Sequence, residues 1–475
     1  MMNFQKHNRI IFAVFGLIFG IGFFTATHVF AQTEPVEGET LELTLEKAVE
    51  LGLQNNEEVL IADQEVKKAK AMVTENSSSA WPHVSGIIGY KHNLFKPTVN
   101  SGISEMLAPL FTAMELPPPP SVETPMVYKH EWTFGVSVTQ NIYTCGRLYN
   151  AIKLARQYAQ TAEQSAILTD KDLILEITEA YYQVVMTRGL AEVAHVNFDL
   201  AEQHLQNVKA KYEAGIKSEF EYLQSQASVA QARPSVIQAD SGVEISALNL
   251  KRVVGLPMTQ PIQIADDFRQ AFQKVSAPQL FDTAKTNRTE LVLLNLQGKM
   301  NRTTKNLYIS NMLPSLNAQM DYSQIGYSIY DDDKIWPEED NEWTQFWSVG
   351  VNFVWPIFDG FESYGKVRQY KAEMVISNLR TAQTLKGIEL EISQLVNQLE
   401  ANKAEVVAGK ESITVAKKAF ELASLRFDSG LGTVLEKDDA KGVWTQARLT
   451  LINALYNLNV THAKLVRAVG KDSYQ

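Results

Sequence analysis

The residue types that most often carry chemistry are scattered along this chain. His83, His92, His130, His195, His204 and His462 show no metal-ligand spacing. The zinc-protease pattern HExxH, the nucleophile elbow GxSxG and the phosphate-cradling GxxxxGKS or GxxxxGKT are all missing. Cys145 is the single cysteine, so no intramolecular disulfide is possible. The sequence offers no catalytic constellation, and neither a cofactor nor a dedicated metal site is expected. The informative patterns lie in the elements.

The chain has 475 residues and a net charge of −10, with 45% hydrophobic and 21% charged residues. That length suits two or three folded domains. An acidic chain without basic runs has no electrostatic reason to hold nucleic acid. Lys6 and Arg9 precede a nearly unbroken apolar stretch from Ile10 to Phe24, and Val29-Phe30-Ala31 precedes Gln32. This reads as a secretory signal peptide over residues 1–31. Cys145 is too far from that cleavage site to carry a lipid. No run of ~18 apolar residues follows residue 31, so any membrane crossing is expected to be a β-barrel.

The chain is a duplicated unit. At a shift of 215 residues Trp132 falls on Trp347, Gly135 on Gly350, Glu176 on Glu391, Gly215 on Gly430 and Gly255 on Gly470. Upstream, at a shift of 232, Asn55 falls on Asn287 and Pro82 on Pro314. The expected repeats are 32–256 and 280–475, joined by a linker over 257–279. Each reads as a short helix, a medium helix, two strands around a long loop, a very long helix, a tight turn and a return helix.

The very long helix of the first repeat, from about Arg147 to Tyr212, spans ~100 Å at 1.5 Å per residue. Leu148, Ile152, Ala155, Ala159, Ala162 and Ala166 step by fours and threes. Gly409, Ile413, Ala416, Phe420, Ala423 and Phe427 repeat that step. Spacing of this kind means coiled-coil packing along the helix side. The two shorter helices of each repeat sum nearly to the long one, so they are expected to stack end to end beside it. The turns fall at 213–218 and 428–433.

Strands are expected at about 83–92, 130–142, 315–326 and 343–356. The second and fourth alternate apolar and polar residues in register, as Trp132 to Thr139 and Trp347 to Phe353. Such alternation suits a transmembrane strand with one face to lipid and one to water. Trp343, Trp347, Trp355 and Tyr322 are candidates for interfacial aromatic girdles. Four strands cannot close a barrel, so an oligomer is required.

These features resemble the TolC family of outer-membrane efflux proteins. The resemblance covers residues ~40–470. It is carried by Leu43-Thr44-Leu45 to Asn56, Trp355 to Gly360, Tyr212-Glu213-Ala214-Gly215 and Phe427-Asp428-Ser429-Gly430. It implies an α+β membrane protein: a homotrimeric 12-stranded β-barrel continued by a periplasmic α-helical barrel. It further implies an exit duct of a tripartite efflux pump or type I secretion system in the outer membrane of a Gram-negative bacterium, passive and not an enzyme. The implied partners are a periplasmic adaptor (membrane-fusion) protein, an inner-membrane pump of RND or ABC type, and outer-membrane lipid. By the family's pattern Glu221, Glu436 and Asp439 line an acidic periplasmic entrance. Gly215, Ile216, Gly430 and Leu431 form adaptor-docking tips. Gly432 stands where the family's closed entrance uses a basic residue, which leaves Arg426 or Lys437 for that latch. The acidic runs Asp331 to Asp333 and Glu338 to Asp340 fit either a solvated loop or a divalent-cation bridge to lipopolysaccharide. An adaptor would instead carry one hairpin between small β domains, and a structural coiled coil would show uninterrupted heptads.

Overall fold

The computed structural model describes residues 40–95, 97–100, 102–117, 123–125, 127–269, 276–327, 334–337 and 342–471. The expected signal peptide and both acidic runs lie outside them. The first repeat holds β1 (Leu41–Leu43), α1 (Leu45–Asn55), α2 (Glu57–Ser78) and β2 (His83–His92). Then come β3 (Thr98–Asn100), α3 (Ile103–Ala113), β4 (Glu123–Pro125), β5 (His130–Tyr143), α4 (Arg147–Glu213) and α5 (Glu219–Val254). After β6 (Ile262–Ile264) the second repeat holds α6 (Ala277–Asn287), α7 (Thr289–Asn311), β7 (Ser315–Tyr327), β8 (Trp343–Val354), α8 (Glu362–Asp428) and α9 (Val434–Val469). The long helices α4 and α8 each run 67 residues, and the return helices α5 and α9 each run 36. No helix among the described residues is long and apolar enough to cross a membrane.

The strands form one antiparallel sheet in the order β2-β5-β7-β8, with β2 and β8 at its open edges. Register puts Tyr90 beside Trp132, Phe134 beside Gln324, Val136 beside Tyr322, Tyr322 beside Trp347, and Met320 beside Val349. Because side chains alternate between faces, Val84, Ile88, Tyr90, Trp132, Val136, Met320, Trp347, Val349, Val351 and Phe353 share one face. Ser85, Ser137, Thr139, Asn317, Gln319, Asp321, Ser348 and Asn352 share the other. At the loop end Trp132, Phe134, Trp336 and Trp343 form a ring cluster, with Trp132 Nε1 donating to the Ile335 carbonyl at 2.8 Å. At the helix end Trp355, Ile357, Phe358 and Phe361 are exposed. Tyr322 and Trp347 were candidates for such a belt. They pair with each other on the apolar face, ring centroids 4.6 Å apart, four residues in from Trp343 and Gly326.

Each sheet-to-helix corner turns through two consecutive left-handed residues. These are Cys145 (φ 46°) and Gly146 (φ 83°) before α4, then Gly360 (φ 66°) and Phe361 (φ 68°) before α8. Each corner has one glycine, but the glycines occupy opposite members of the pair. One strained non-glycine residue is therefore built into each corner. The second corner is tied by the Asp359 carboxylate, which accepts the Ser363 amide at 3.0 Å.

The short helices stack end to end beside the long ones. Gly255 closes α5 in a left-handed cap (φ 73°), and a Cβ there would lie 2.8 Å from the carbonyl carbon and oxygen of Asn55. Asn56 locks that joint. Its side chain accepts the Glu58 amide at 2.8 Å and donates to the Val253 carbonyl at 2.8 Å. In the second repeat Gly470 (φ 78°) abuts Asn287 in the same way. Arg288 stands where Asn56 stood, buried and paired with Glu391 at 2.6 Å. Arg467 then bridges Asp172 of α4 at 2.8 Å and Glu290 at 3.0 Å, so this joint also binds one repeat to the other.

The densest core sits level with these joints. Tyr181 and Ile177 of α4 are fully buried with Leu43, Leu250, Val254, Ile392, Leu399 and Leu458. The segment between the repeats contributes β6, which pairs in parallel with β1. The Tyr181 hydroxyl donates to the Leu43 carbonyl at 3.1 Å and accepts the Asp266 amide at 3.1 Å. Burial pushes His462 down to about 4, with Arg269 and Lys403 adding to the effect.

Two predictions follow from the joints and this core. Gly255→Ala, which meets both the positive φ and the Asn55 backbone, should cost about 2 kcal/mol or more, read as a lowered thermal midpoint of purified protein. His462 is neutral in the fold but titrates near 6.5 when unfolded. Stability should therefore fall as pH drops from about 6.5 to about 4 and level off below. Denaturation midpoints across that window should flatten in His462→Gln.

Candidate functional site

The hairpin tips form the far end of the helical part. At the first tip the Ile216 amide donates to the Lys211 carbonyl at 2.8 Å, and Gly215 takes φ 72°. At the second the Leu431 amide donates to the Arg426 carbonyl at 2.8 Å, and Gly430 takes φ 76°. This is the helix-ending geometry that glycine adopts without steric cost. It leaves Ile216 and Leu431 as apolar side chains exposed at the turns, 71% and 77%.

The three acidic residues singled out by sequence sit just past these turns in three different electrostatic settings. Glu221 completes a capping box with Ser218 and accepts from Lys217 Nζ at 2.5 Å. The lysine, followed by the Ser218 amide, holds its carboxyl down at about 2. Glu436 lies 3.8 Å from the Arg426 guanidinium. Asp439 is exposed and has no ion-pair partner among the described residues. Of the three, only Asp439 is an uncompensated charge.

The role of Gly432 is steric. A Cβ there would lie 3.1 Å from Arg426 Cβ, 3.1 Å from Glu436 Oε2 and 3.2 Å from the Phe427 amide. Its bare backbone leaves room for Arg426 to approach Glu436 and to donate to the Leu431 carbonyl at 3.4 Å. Of the two latch candidates, Arg426 makes its contacts within the second hairpin, whereas Lys437 also stands beside His204 of the first. Lys437 Nζ stands 5.0 Å from the Phe427 ring centroid.

The contact between the two tips is one that sequence reasoning missed. Lys217 Nζ, from the first hairpin, stands 5.7 Å from the same Phe427 ring. The His204 ring lies 6.0 Å from it, and burial lowers the His204 pKa, with Lys437 beside it. Phe427 is thus held by cations of both hairpins. Higher up, Arg448 pairs with Glu192 at 3.0 Å and Thr445 donates to Asn197 at 3.0 Å, fixing α9 along α4. The one sequence signal was Phe427 closing the apolar seam; one of its cationic neighbours, Lys217, comes from the other repeat.

Comparison with known proteins places this architecture. The "Outer membrane efflux protein" family model matches residues 48–256 and 282–471. The chain is 21% identical over 343 residues to the outer membrane protein TolC of Vibrio cholerae, covering 72% of this chain and 77% of that one. Among solved structures it is similar to the CusC channel, with a TM-score of 0.71 at 15% identity over 91% of this chain and 94% of that one. It is also similar to the outer membrane protein VceC of Vibrio cholerae, with a TM-score of 0.70 at 14% identity over 90% and 96%. With both repeats matched by one model and the same fold recurring at near full length, the chain belongs to the outer membrane efflux protein family.

Proposed function

We propose that three copies of this chain form an outer-membrane exit duct that passively conducts substrates from a periplasmic pump assembly to the cell exterior. The observation that carries this reading is the four-stranded sheet. It has one apolar face, one polar face and two unpaired edges, and it continues directly into two 67-residue helices. Two copies would give about eight strands, whose interior side chains would fill; three give about twelve and leave a wet lumen. The apolar face then meets lipid and the polar face lines the path. The aromatic clusters at both strand ends fit the two membrane interfaces.

The hairpin tips are the periplasmic entrance in this reading, with Glu221, Glu436 and Asp439 repeated three times around it. Lys217, Phe427 and Lys437 act as the latch between hairpins, and opening separates Lys217 from the ring. Gly215, Ile216, Gly430 and Leu431 are the surface that a periplasmic adaptor engages, coupling the duct to an inner-membrane pump of RND or ABC type. The energy for export comes from that pump.

Single-channel recording in planar bilayers tests the entrance. The parent should pass small cation-selective currents, and the Glu221, Glu436, Asp439 to alanine triple variant should lose at least about half of that selectivity. Among single variants Asp439→Ala should act most strongly and Glu221→Ala least, since Lys217 already offsets Glu221. Equal effects, or none, would move the selectivity away from the tips. Docking is tested by Gly430→Trp: trimers should persist on gels while export in cells stops. Normal export with tryptophan at the tip would remove the docking role.

A further inference from the structure

The polar face of the sheet carries a charge that the tips do not explain. Ser85 lies opposite Ser137, Ser137 opposite Asp321, and Asp321 opposite Ser348. One polar row thus crosses all four strands, with a carboxylate in its third place. The Asp321 carboxylate accepts from Ser137 Oγ at 2.7 Å, from Gln319 Nε2 at 3.1 Å and from Ser348 Oγ at 3.3 Å. Donors from both neighbouring strands therefore hold it flat against the wall. Among the described residues no lysine or arginine lies within ion-pair distance of it.

Its place along the strand matters as much as its partners. Asp321 sits at the middle of β7, which runs Ser315–Tyr327. The other charged side chains of this face are near its ends. Lys91 and Glu131 are register partners of opposite sign at the loop end, and His83 is at the helix end. Over the central part of the face Asp321 is the one charged group among the described residues. A carboxylate halfway along a membrane-spanning strand is tolerated on the wet face and costly on the lipid face. Side-chain hydroxyls replace part of its water shell.

We infer that Asp321 is a cation-selectivity determinant in the barrel section of the duct, separate from the acidic residues at the tips. The inference rests on the exit-duct reading, which turns the polar face inward and repeats Asp321 three times around the lumen. A negative wall charge raises the local cation concentration and lowers that of anions. Its reach is about one Debye length, roughly 8 Å at physiological salt. The contribution therefore grows as salt is lowered.

The test is the reversal potential of purified trimers in planar bilayers under a potassium chloride gradient. Asp321→Asn, which keeps the shape and the serine contacts, should lower the cation-to-anion permeability ratio by about twofold. Asp321→Lys should lower it further and Asp321→Glu should preserve it. The differences should be larger at about 0.1 M than at about 1 M salt. A Ser137→Ala, Ser348→Ala double variant keeps the charge and removes the hydroxyls, so it should retain most of the selectivity; this separates a charge effect from a disturbed barrel. Asparagine and lysine variants that conduct with the parent's ratio at both salt levels would overturn the inference and leave the duct standing. A parent that forms trimers but never conducts would overturn the duct reading and this inference with it.

Discussion

A peptide group in hydrocarbon has no water to bond, and this constraint governs the rest of the molecule. Every N–H and C=O of a strand that crosses the membrane must find a partner strand. Here the sheet ends at β2 on one side and β8 on the other, so the chain cannot meet that requirement alone. The missing partners have to be edges of further copies. Once the strands close, side-chain parity follows, because a register slip of one residue would turn Trp347 and Val349 toward water and Ser348 toward lipid. The helices inherit the same geometry. They leave the sheet at two equivalent corners and so must form a second ring below the first.

The duplication supplies that equivalence, and the departures from it are informative. Asn56 and Arg288 hold corresponding places, yet one is a neutral cap confined to its own repeat and the other is a buried cation. Beside Arg288, Arg467 reaches across to Asp172 of the first repeat. The tips diverge in the same manner. The first spends Glu221 on its own helix cap, whereas the second directs Glu436 toward Arg426 through the space left by Gly432. One fold has thus been kept twice while its charges were reassigned. Two of the contacts that join the repeats, Arg467 with Asp172 and Lys217 with Phe427, lie in the reassigned part.

Much of the fold was legible in the sequence because it depends on short-range periodicity. Fours and threes along α4 and α8 reveal a seam, alternation along β5 and β8 reveals two faces, and Gly215 and Gly430 mark reversals. These signals are local and were doubled by the repeat. The site was less legible. That Lys217 approaches Phe427 depends on two hairpins meeting, and nothing within either segment encodes it. Glu221 reads as an entrance charge until the capping geometry shows it already paired. Tyr322 and Trp347 read as rim residues by type, while their pairing with each other is set by strand register. Asp321 carries no sequence signal because a lone aspartate in an alternating run is ordinary; two of its three donors, Ser137 and Ser348, come from strand register.

The end-to-end joints have an evolutionary consequence. A continuous helix of 67 residues runs beside two spliced ones, and the seam between them is read in steps of seven. Inserting one residue into α4 would turn everything beyond it by about 100° and misalign the seam. The tunnel can therefore lengthen only in whole heptads, gained together by the continuous helix and by one of its spliced partners, and gained again in the other repeat. Tunnel length in such a protein is quantised, and relatives that span different distances are expected to differ by paired insertions of that size.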